Sequence, residues 1–352
     1  MKFDIVVFNP PYQEEIEGTS DKQIYPAFLD AAYEIADVVE TITPGRFLFN
    51  AGKTPKEWNK KMLEDEHLKV VEYFPDSRTV FNGVHFAGGV VIAYRNSKEK
   101  YKPIKTFIPD NQLRGIFEKI QKDIEENGCV RDIMILQNRF HLDVLFKDYP
   151  QYKTYVDSKG EEKERTEKRL VSSSLNGFCI FNKEKDSSTD ISILGVENLN
   201  QRIVRYVNSK YIQDNGNLYL YKAVVPKSYG TGLKEVGNSA IIGKPQLLEP
   251  TVGYTQSFIG LGAFKNKPEA ENTLKYLKTK FSRVCLAILK ATQDNPPEKW
   301  AFVPLQDFTE KSDIDWSKSI TEIDQQLYKK YGLTQKEIDF IEEKVRSMDD
   351  TV

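Results

Sequence analysis

The chain has 352 residues and a net charge of −2, with 39% of the residues hydrophobic and 29% charged. This length allows two or three domains, and the composition is that of a globular protein. No stretch is apolar for long enough to span a membrane, and residues 1–4 do not begin a signal peptide, so we expect a cytoplasmic protein. Three scattered cysteines and three scattered histidines predict neither a disulfide framework nor a metal site.

The chain begins with an apolar segment, residues 3–8, that leads directly into Asn9-Pro10-Pro11-Tyr12. Two successive prolines fix φ and remove two backbone donors, so they stiffen the turn. The Asn9 side chain and the Pro10 carbonyl are left to accept hydrogen bonds beside the flat ring of Tyr12. Two acceptors next to a ring suit a planar base that carries an exocyclic amino group. A simple turn after a buried strand is the alternative, and the apolar strand before the motif favours the binding site.

Residues 1–110 are predicted to be α/β. Apolar residues recur at helical spacing from Tyr25 to Ala36, and a second helix is expected after Pro55. Apolar runs at residues 38–43, 68–74 and 89–94 favour strands. Strands that alternate with helices imply a parallel sheet with buried strands.

The motif and its strand resemble the catalytic loop of adenine-specific (N6) DNA methyltransferases. The resemblance implies that Asn9 and Pro10 hold the amino group of a flipped-out adenine, that Pro11 stiffens the loop, and that Tyr12 stacks on the ring. It also implies S-adenosylmethionine as the methyl donor, with Asp4, Phe8 and Asn9 facing the cofactor.

A second segment, residues 80–94, resembles a later motif of the same family, a turn with an aromatic residue before a strand. Gly88-Gly89 before the strand is typical of one branch of the family. The resemblance assigns to Phe81 the role of packing against the adenine opposite Tyr12. Phe86 is the alternative for this role, and a place in the core is the simpler interpretation for either ring.

The charge is unevenly distributed along the chain. Counting Lys and Arg against Asp and Glu gives −5 for residues 1–200, +8 for residues 201–300 and −5 for residues 301–352. A basic third is expected where DNA phosphates bind, although a solvated lysine-rich face would look the same. We predict a long helix over residues 269–291 whose polar side binds DNA. The residues are Lys275, Lys278, Lys280 and Arg283.

Residues 270–281 and 300–334 resemble the target-recognition half of fused type II restriction–modification methylases. The expected architecture is therefore α/β. Residues 1–110 form part of a Rossmann-like methyltransferase sheet, residues 111–300 an α+β target-recognition domain, and residues 301–352 a C-terminal helical segment.

One feature of the family is missing from its usual place. Its glycine-rich cofactor turn lies before the Asn-Pro-Pro-Tyr motif, and only eight residues precede Asn9 here. Residues 258–262 fit a short glycine pattern, but they do not open a helix, so a strand is the better interpretation. Three hypotheses follow. The chain works with a second polypeptide that carries the cofactor motif, it is a truncated methylase, or it is a non-catalytic DNA-binding specificity subunit. Duplex DNA and a restriction subunit are the other expected partners.

Overall fold

The computed structural model describes residues 3–14, 22–49, 54–82, 88–198, 201–230, 233, 239–290 and 293–348. The chain divides into two compact units, Met1–Pro109 (unit 1) and Asp110–Val352 (unit 2).

Unit 1 is built around a mixed four-stranded sheet. Its strands and helices are β1 (Phe3–Phe8), β2 (Gln13–Glu14), β3 (Lys22–Gln23), α1 (Tyr25–Ile35), β4 (Ala36–Pro44), α2 (Lys56–Glu64), β5 (Leu68–Phe74) and β6 (Val90–Asn96). The strand order is β1-β4-β6-β5. Strands β2 and β3, which follow β1 in the sequence, form a separate antiparallel pair.

The sheet is not purely parallel, which corrects the expectation from the sequence. β1 and β4 are parallel, but β6 lies between β4 and β5 and is antiparallel to both. A parallel return to the sheet needs a crossover, usually through a helix. The connection from β5 to β6 carries only the short 3₁₀ turn Ser77–Thr79 among its described residues, so β6 runs back in the opposite direction.

One face of this sheet is packed, and among the described residues the other face is open at its β1 edge. Helices α1 and α2 cover the packed face, where Tyr25, Leu29, Met62 and Val91 are at most 1% exposed. Burying each such side chain stabilises the fold by about 1.5–3 kcal/mol. On the other face the edge strand β1 is apolar and exposed. Its residues there are Phe3 (46%), Ile5 (62%) and Val7 (70%).

Unit 2 mixes short sheets with helices. Its helices are α3 (Asn111–Asn127), α4 (Leu142–Asp148), α5 (Ser174–Gly177), α6 (Lys267–Lys278), α7 (Lys280–Leu289), α8 (Ile320–Lys330) and α9 (Gln335–Lys344). Its strands are β7 (Met134–Ile135), β8 (Arg139–Phe140), β9 (Thr154–Val156), β10 (Glu162–Glu164), β11 (Asp190–Glu197), β12 (Gln201–Asn208), β13 (Ile212–Gln213), β14 (Tyr221–Pro226), β15 (Gln246–Leu248), β16 (Val252–Tyr254) and β17 (Phe258–Phe264).

The strands of unit 2 form two larger sheets and two pairs. The orders are β12-β11-β16, β15-β14-β17-β7, β10-β9 and β13-β8. The main core lies between the sheet that contains β17 and the helices α3, α6 and α7.

The C-terminal helices belong to this same core. Trp316, Ile323, Leu327 and Ile341 cluster with residues of α3, α6 and α7. The helical segment expected at residues 301–352 is therefore part of unit 2 rather than a compact body of its own. A capping box holds α9, because Thr334 accepts from the Glu337 backbone N–H and Glu337 accepts from Thr334. Among the described residues no helix has the length and apolarity to cross a bilayer.

Candidate active site

Asn9 to Tyr12 form the turn at the carboxyl end of β1, at the edge of the sheet where ligands bind in open α/β folds. Asn9 and Pro11 are exposed, Pro10 is buried and Tyr12 is half-buried. The turn is anchored on both sides: the Tyr12 hydroxyl donates to the Ile42 carbonyl of β4 at 3.3 Å, and the Tyr12 carbonyl accepts from Ile24 N at 3.1 Å. The amide of Asn9 thus reaches solvent from a fixed loop.

Asn9 and Tyr12 also contact each other. Burial raises the pKa of Tyr12 to about 12, and a hydrogen bond from the Asn9 side chain opposes that rise. Tyr12 is therefore protonated at neutral pH, and its ring is uncharged. An Asn9 nitrogen that donates to Tyr12 leaves the amide oxygen of Asn9 to accept from a ligand.

Phe81 lies against Tyr12. The ring centroids are 6.2 Å apart and the planes meet at 66°, an edge-to-face contact. Phe81 is placed by the 3₁₀ turn Ser77–Thr79, because its backbone N–H donates to the Ser77 carbonyl at 2.9 Å. A base between two parallel rings needs about 7 Å between them, at roughly 3.5 Å for each contact. The rings must turn and separate slightly to accept one. Phe86, the alternative wall, lies outside the described residues.

Glycines pack closely behind this edge of the sheet. Gly45 N donates to the Gly89 carbonyl at 2.9 Å, and a Cβ on Gly45 would come within 2.7 Å of the Gly88 oxygen. Gly89 has φ +65°, and a Cβ there would collide with the carbonyl oxygen of Phe74. The Gly88-Gly89 pair thus allows the backbone before β6 to meet the 3₁₀ turn Gly45–Phe49, which carries the half-buried Arg46.

Asp4 and Phe8 do not join this site. Asp4 is exposed at the other end of β1, about 17 Å from Asn9 at a rise of roughly 3.3 Å per residue. Its charge acts on Lys98, which pairs with Asp37 at 2.8 Å. Phe8 is half-buried and packs against the core beneath α1. Asp4 and Asn9 thus lie at opposite ends of β1, and the expectation that both face one cofactor stays a prediction.

The expected DNA-binding helix is two helices, α6 and α7, that meet at Thr279. The Thr279 side chain caps α7 by accepting from Ser282 N at 3.1 Å. Asp324 then accepts from the backbone N–H groups of Lys280 and Phe281 at 2.9 and 2.8 Å, and the positive end of the helix dipole stabilises a carboxylate there. The Thr279 cap and the Asp324 carboxylate start a new helix at Lys280, so α6 ends before it.

The four basic residues predicted to bind DNA are engaged inside the protein. Arg283 is 1% exposed and donates to the carbonyls of Thr279, Ala240 and Lys278, and Lys278 is itself 2% exposed. Lys280 pairs with Glu342 at 2.6 Å and has 13% of its side chain exposed.

Lys275 donates to the Trp316 carbonyl at 2.7 Å. These four side chains therefore do not form an exposed basic face on α6 and α7. We therefore do not carry these four residues into a DNA contact.

The glycine segment of residues 258–262 does not form a glycine-rich turn at the start of a helix. That segment is the buried strand β17, as the sequence indicated, and a Cβ on Gly260 would collide with Tyr254. No group of three or more His, Cys, Asp or Glu side chains among the described residues could hold a metal ion.

The sequence also contains a second Asn-Pro-Pro triplet at residues 295–297 that our sequence reasoning passed over. Asn295 is fully buried and its side-chain oxygen accepts from Lys290 Nζ at 2.5 Å. Asn295 differs from Asn9 because it is buried, whereas Asn9 is exposed. The second triplet also lacks the apolar strand that leads into the first one.

The mixed sheet of unit 1 thus ends in an exposed Asn-Pro-Pro-Tyr turn that lies beside a second aromatic ring, Phe81. Residues 1–81 match the model of the Eco57I restriction-modification methylase family. The match spans β1, the turn and Phe81.

Among solved structures, the chain is similar to the type IIG restriction endonuclease BpuSI, with 11% sequence identity and a TM-score of 0.33. The alignment covers 91% of this chain and 48% of BpuSI, so the chain spans about half the length of that protein. A comparison with curated proteins gives no significant match.

Proposed function

We propose that this chain provides the target-base side of a DNA methyltransferase that modifies the exocyclic amino group of adenine. The observation that carries the proposal is the exposed Asn9 amide, held beside the Tyr12 and Phe81 rings at the carboxyl end of β1. The family match over residues 1–81 supports the methylase class. A base inside a duplex cannot present its amino nitrogen to a methyl donor, so the target adenine must leave the stack.

In this proposal each residue of the turn has one task. The Asn9 oxygen and the Pro10 carbonyl accept from the two N–H groups of the adenine amino group, which orients its nitrogen. Pro11 keeps the acceptors in place, because its fixed φ removes a degree of freedom. Tyr12 stacks on one face of the base and Phe81 packs on the other. S-adenosylmethionine, when bound, supplies the methyl group.

The open face of unit 1 supports a partner for the cofactor. An exposed apolar edge strand is a template for pairing with another chain. Here Ile5 and Val7 on the edge strand β1 are 62% and 70% exposed. We propose that a polypeptide carrying the cofactor motif covers this face and places its ligand beside Asn9.

Calorimetric titration of S-adenosylmethionine into the purified chain, with and without duplex DNA, tests the partner. We expect salt-sensitive DNA binding and no saturable binding of S-adenosylmethionine. Saturable binding by the chain alone would contradict the need for a partner. DNA binding without methylation, even when the open face is covered by a cofactor-binding polypeptide, would favour the specificity subunit instead.

A further inference from the structure

Arg139, Arg169 and Gln213 lie side by side on three short segments of unit 2. Arg139 in β8 is directly opposite Gln213 in β13, and an isolated antiparallel bridge places it directly opposite Arg169 as well. Residues directly opposite each other in antiparallel strands project from the same face. The three side chains therefore form one row, with Arg139 at its centre.

The two arginines are paired in the geometry that brings side chains closest. Backbone hydrogen bonds of 2.7 and 3.1 Å flank the pair on its two sides, from Phe140 to Lys168 and from Leu170 to Asn138. This is a non-hydrogen-bonded pair, with Cα atoms about 4.5 Å apart. Like charges in this arrangement destabilise the fold, and both side chains are exposed. An anion from outside would remove the repulsion.

The nearby carboxylates neutralise only part of the row. Glu167 accepts from Arg169 Nε at 2.7 Å and lies 2.6 Å from Arg169 Nη2, so it offsets one of the two positive charges and holds that guanidinium in place. Asp214, the neighbour of Gln213, accepts from the backbone N–H groups of Gly216 and Leu218 at 2.9 and 3.1 Å, so it serves its own turn. Of these two carboxylates, only Glu167 contacts a guanidinium group of the row, that of Arg169.

We propose that the row Arg139–Arg169–Gln213 is a contact surface for duplex DNA, in which Arg139 binds a backbone phosphate. The planar guanidinium can bind two oxygens of a phosphate at once, and Gln213 adds an amide donor beside it. Glu167 orients Arg169 next to the same phosphate. The proposal rests on the proposed function in one respect, that DNA is the substrate, and it requires no cofactor.

Binding of the full chain to mixed-sequence duplex DNA, measured by fluorescence anisotropy at several salt concentrations, tests the row. Arg139→Gln should weaken binding and lower the slope of log K against log salt concentration by about 0.9, the value for one phosphate contact. Its thermal unfolding midpoint should stay equal or rise, because the substitution removes like-charge repulsion. A loss of binding then cannot result from unfolding.

Arg131→Gln is the matched control, since Arg131 is also exposed in unit 2 and lies 3.7 Å from Asp132. We expect it to keep the wild-type slope. A wild-type slope in Arg139→Gln, or an equal loss in both variants, would overturn the row while leaving the methylase proposal intact. Wild-type protein that shows no salt-sensitive DNA binding would overturn both.

Discussion

Replacing Asn9 with alanine is expected to lower the rate of DNA methylation by at least about 100-fold, the usual effect of removing one aligned hydrogen-bonding group at a reacting centre. The amide oxygen would no longer accept from the amino group, so the nitrogen would lose its orientation. DNA affinity should change little, because Asn9 lies on an exposed turn at the end of β1 and no phosphate contact is assigned to it. The measurement is transfer of a labelled methyl group from S-adenosylmethionine to duplex DNA, with the cofactor-binding partner present.

Asn9→Asp is the matched variant for this experiment. It has the same size and keeps an oxygen that accepts, so its methylation rate should fall less than that of Asn9→Ala. Equal methylation by wild type and Asn9→Ala would refute the assignment of Asn9. Equal loss in both variants, with unchanged DNA binding, would show that the nitrogen of the amide, through its bond to Tyr12, is the group that matters.

Replacing Lys222 with methionine is expected to destabilise unit 2 by about 3 kcal/mol, in the range for leaving buried polar groups without partners. Lys222 is fully buried, and its Nζ donates to the carbonyls of Asn217 (2.9 Å), Leu218 (3.1 Å), Leu220 (3.0 Å) and Glu249 (3.2 Å). Burial lowers the pKa of Lys222 to about 7, which reflects the cost of removing the ammonium from water. Methionine fills similar space but donates nothing.

Thermal unfolding distinguishes the two opposing effects at Lys222. Loss of the donor predicts a midpoint lower by about 6–12 °C, at roughly 2–4 °C per kcal/mol for a unit of this size. If the cost of burying the charge were larger than the gain from its hydrogen bonds, methionine would raise the midpoint instead. Lys265→Met, at an exposed position, is the control and should leave the midpoint unchanged.

Local signals in the sequence predicted much of the secondary structure. The strand Leu68–Phe74 has the bounds that its apolar run indicated, and the helix Tyr25–Ile35 lies where apolar residues recur at helical spacing. These features depend on residues a few positions apart. The reversal of β6 depends instead on which strands pair across the sheet, and the break at Thr279 depends on Asp324, which is distant in the sequence.

The distribution of charge misled the sequence analysis for a similar reason. A count of charges assumes that lysine and arginine side chains face solvent. In residues 201–300, four of them are buried and donate to carbonyl or amide oxygens or line the core: Lys222, Lys278, Arg283 and Lys290. Part of the basic character of this third is therefore structural. The residues of the row Arg139–Arg169–Gln213 are distant from one another in the sequence, so no local excess of positive charge marks them. Only the pairing of the strands brings them together.

The sequence indicated the proposed base-binding site at Asn9 to Tyr12 more clearly than the proposed DNA contact at Arg139. Asn9 to Tyr12 are contiguous, so their own chemistry indicated a pocket for an amino base. Phe81 was singled out by resemblance, and the structure brings its ring against Tyr12. Asp4 shows the limit of this reasoning, because it and Asn9 are near each other in sequence but lie at opposite ends of an extended strand.

The most direct test of the central claim is a comparison of adenosine and inosine binding to the full chain, followed by NMR, with wild type and Asn9→Ala. Adenosine donates through its amino group to the Asn9 and Pro10 oxygens, whereas inosine presents a carbonyl to the same acceptors. We predict that adenosine binds at least about 10-fold more tightly, a difference of roughly 1.4 kcal/mol, and that Asn9→Ala removes the preference. Equal binding of the two nucleosides, no binding of either, or a preference that survives in Asn9→Ala would contradict the account.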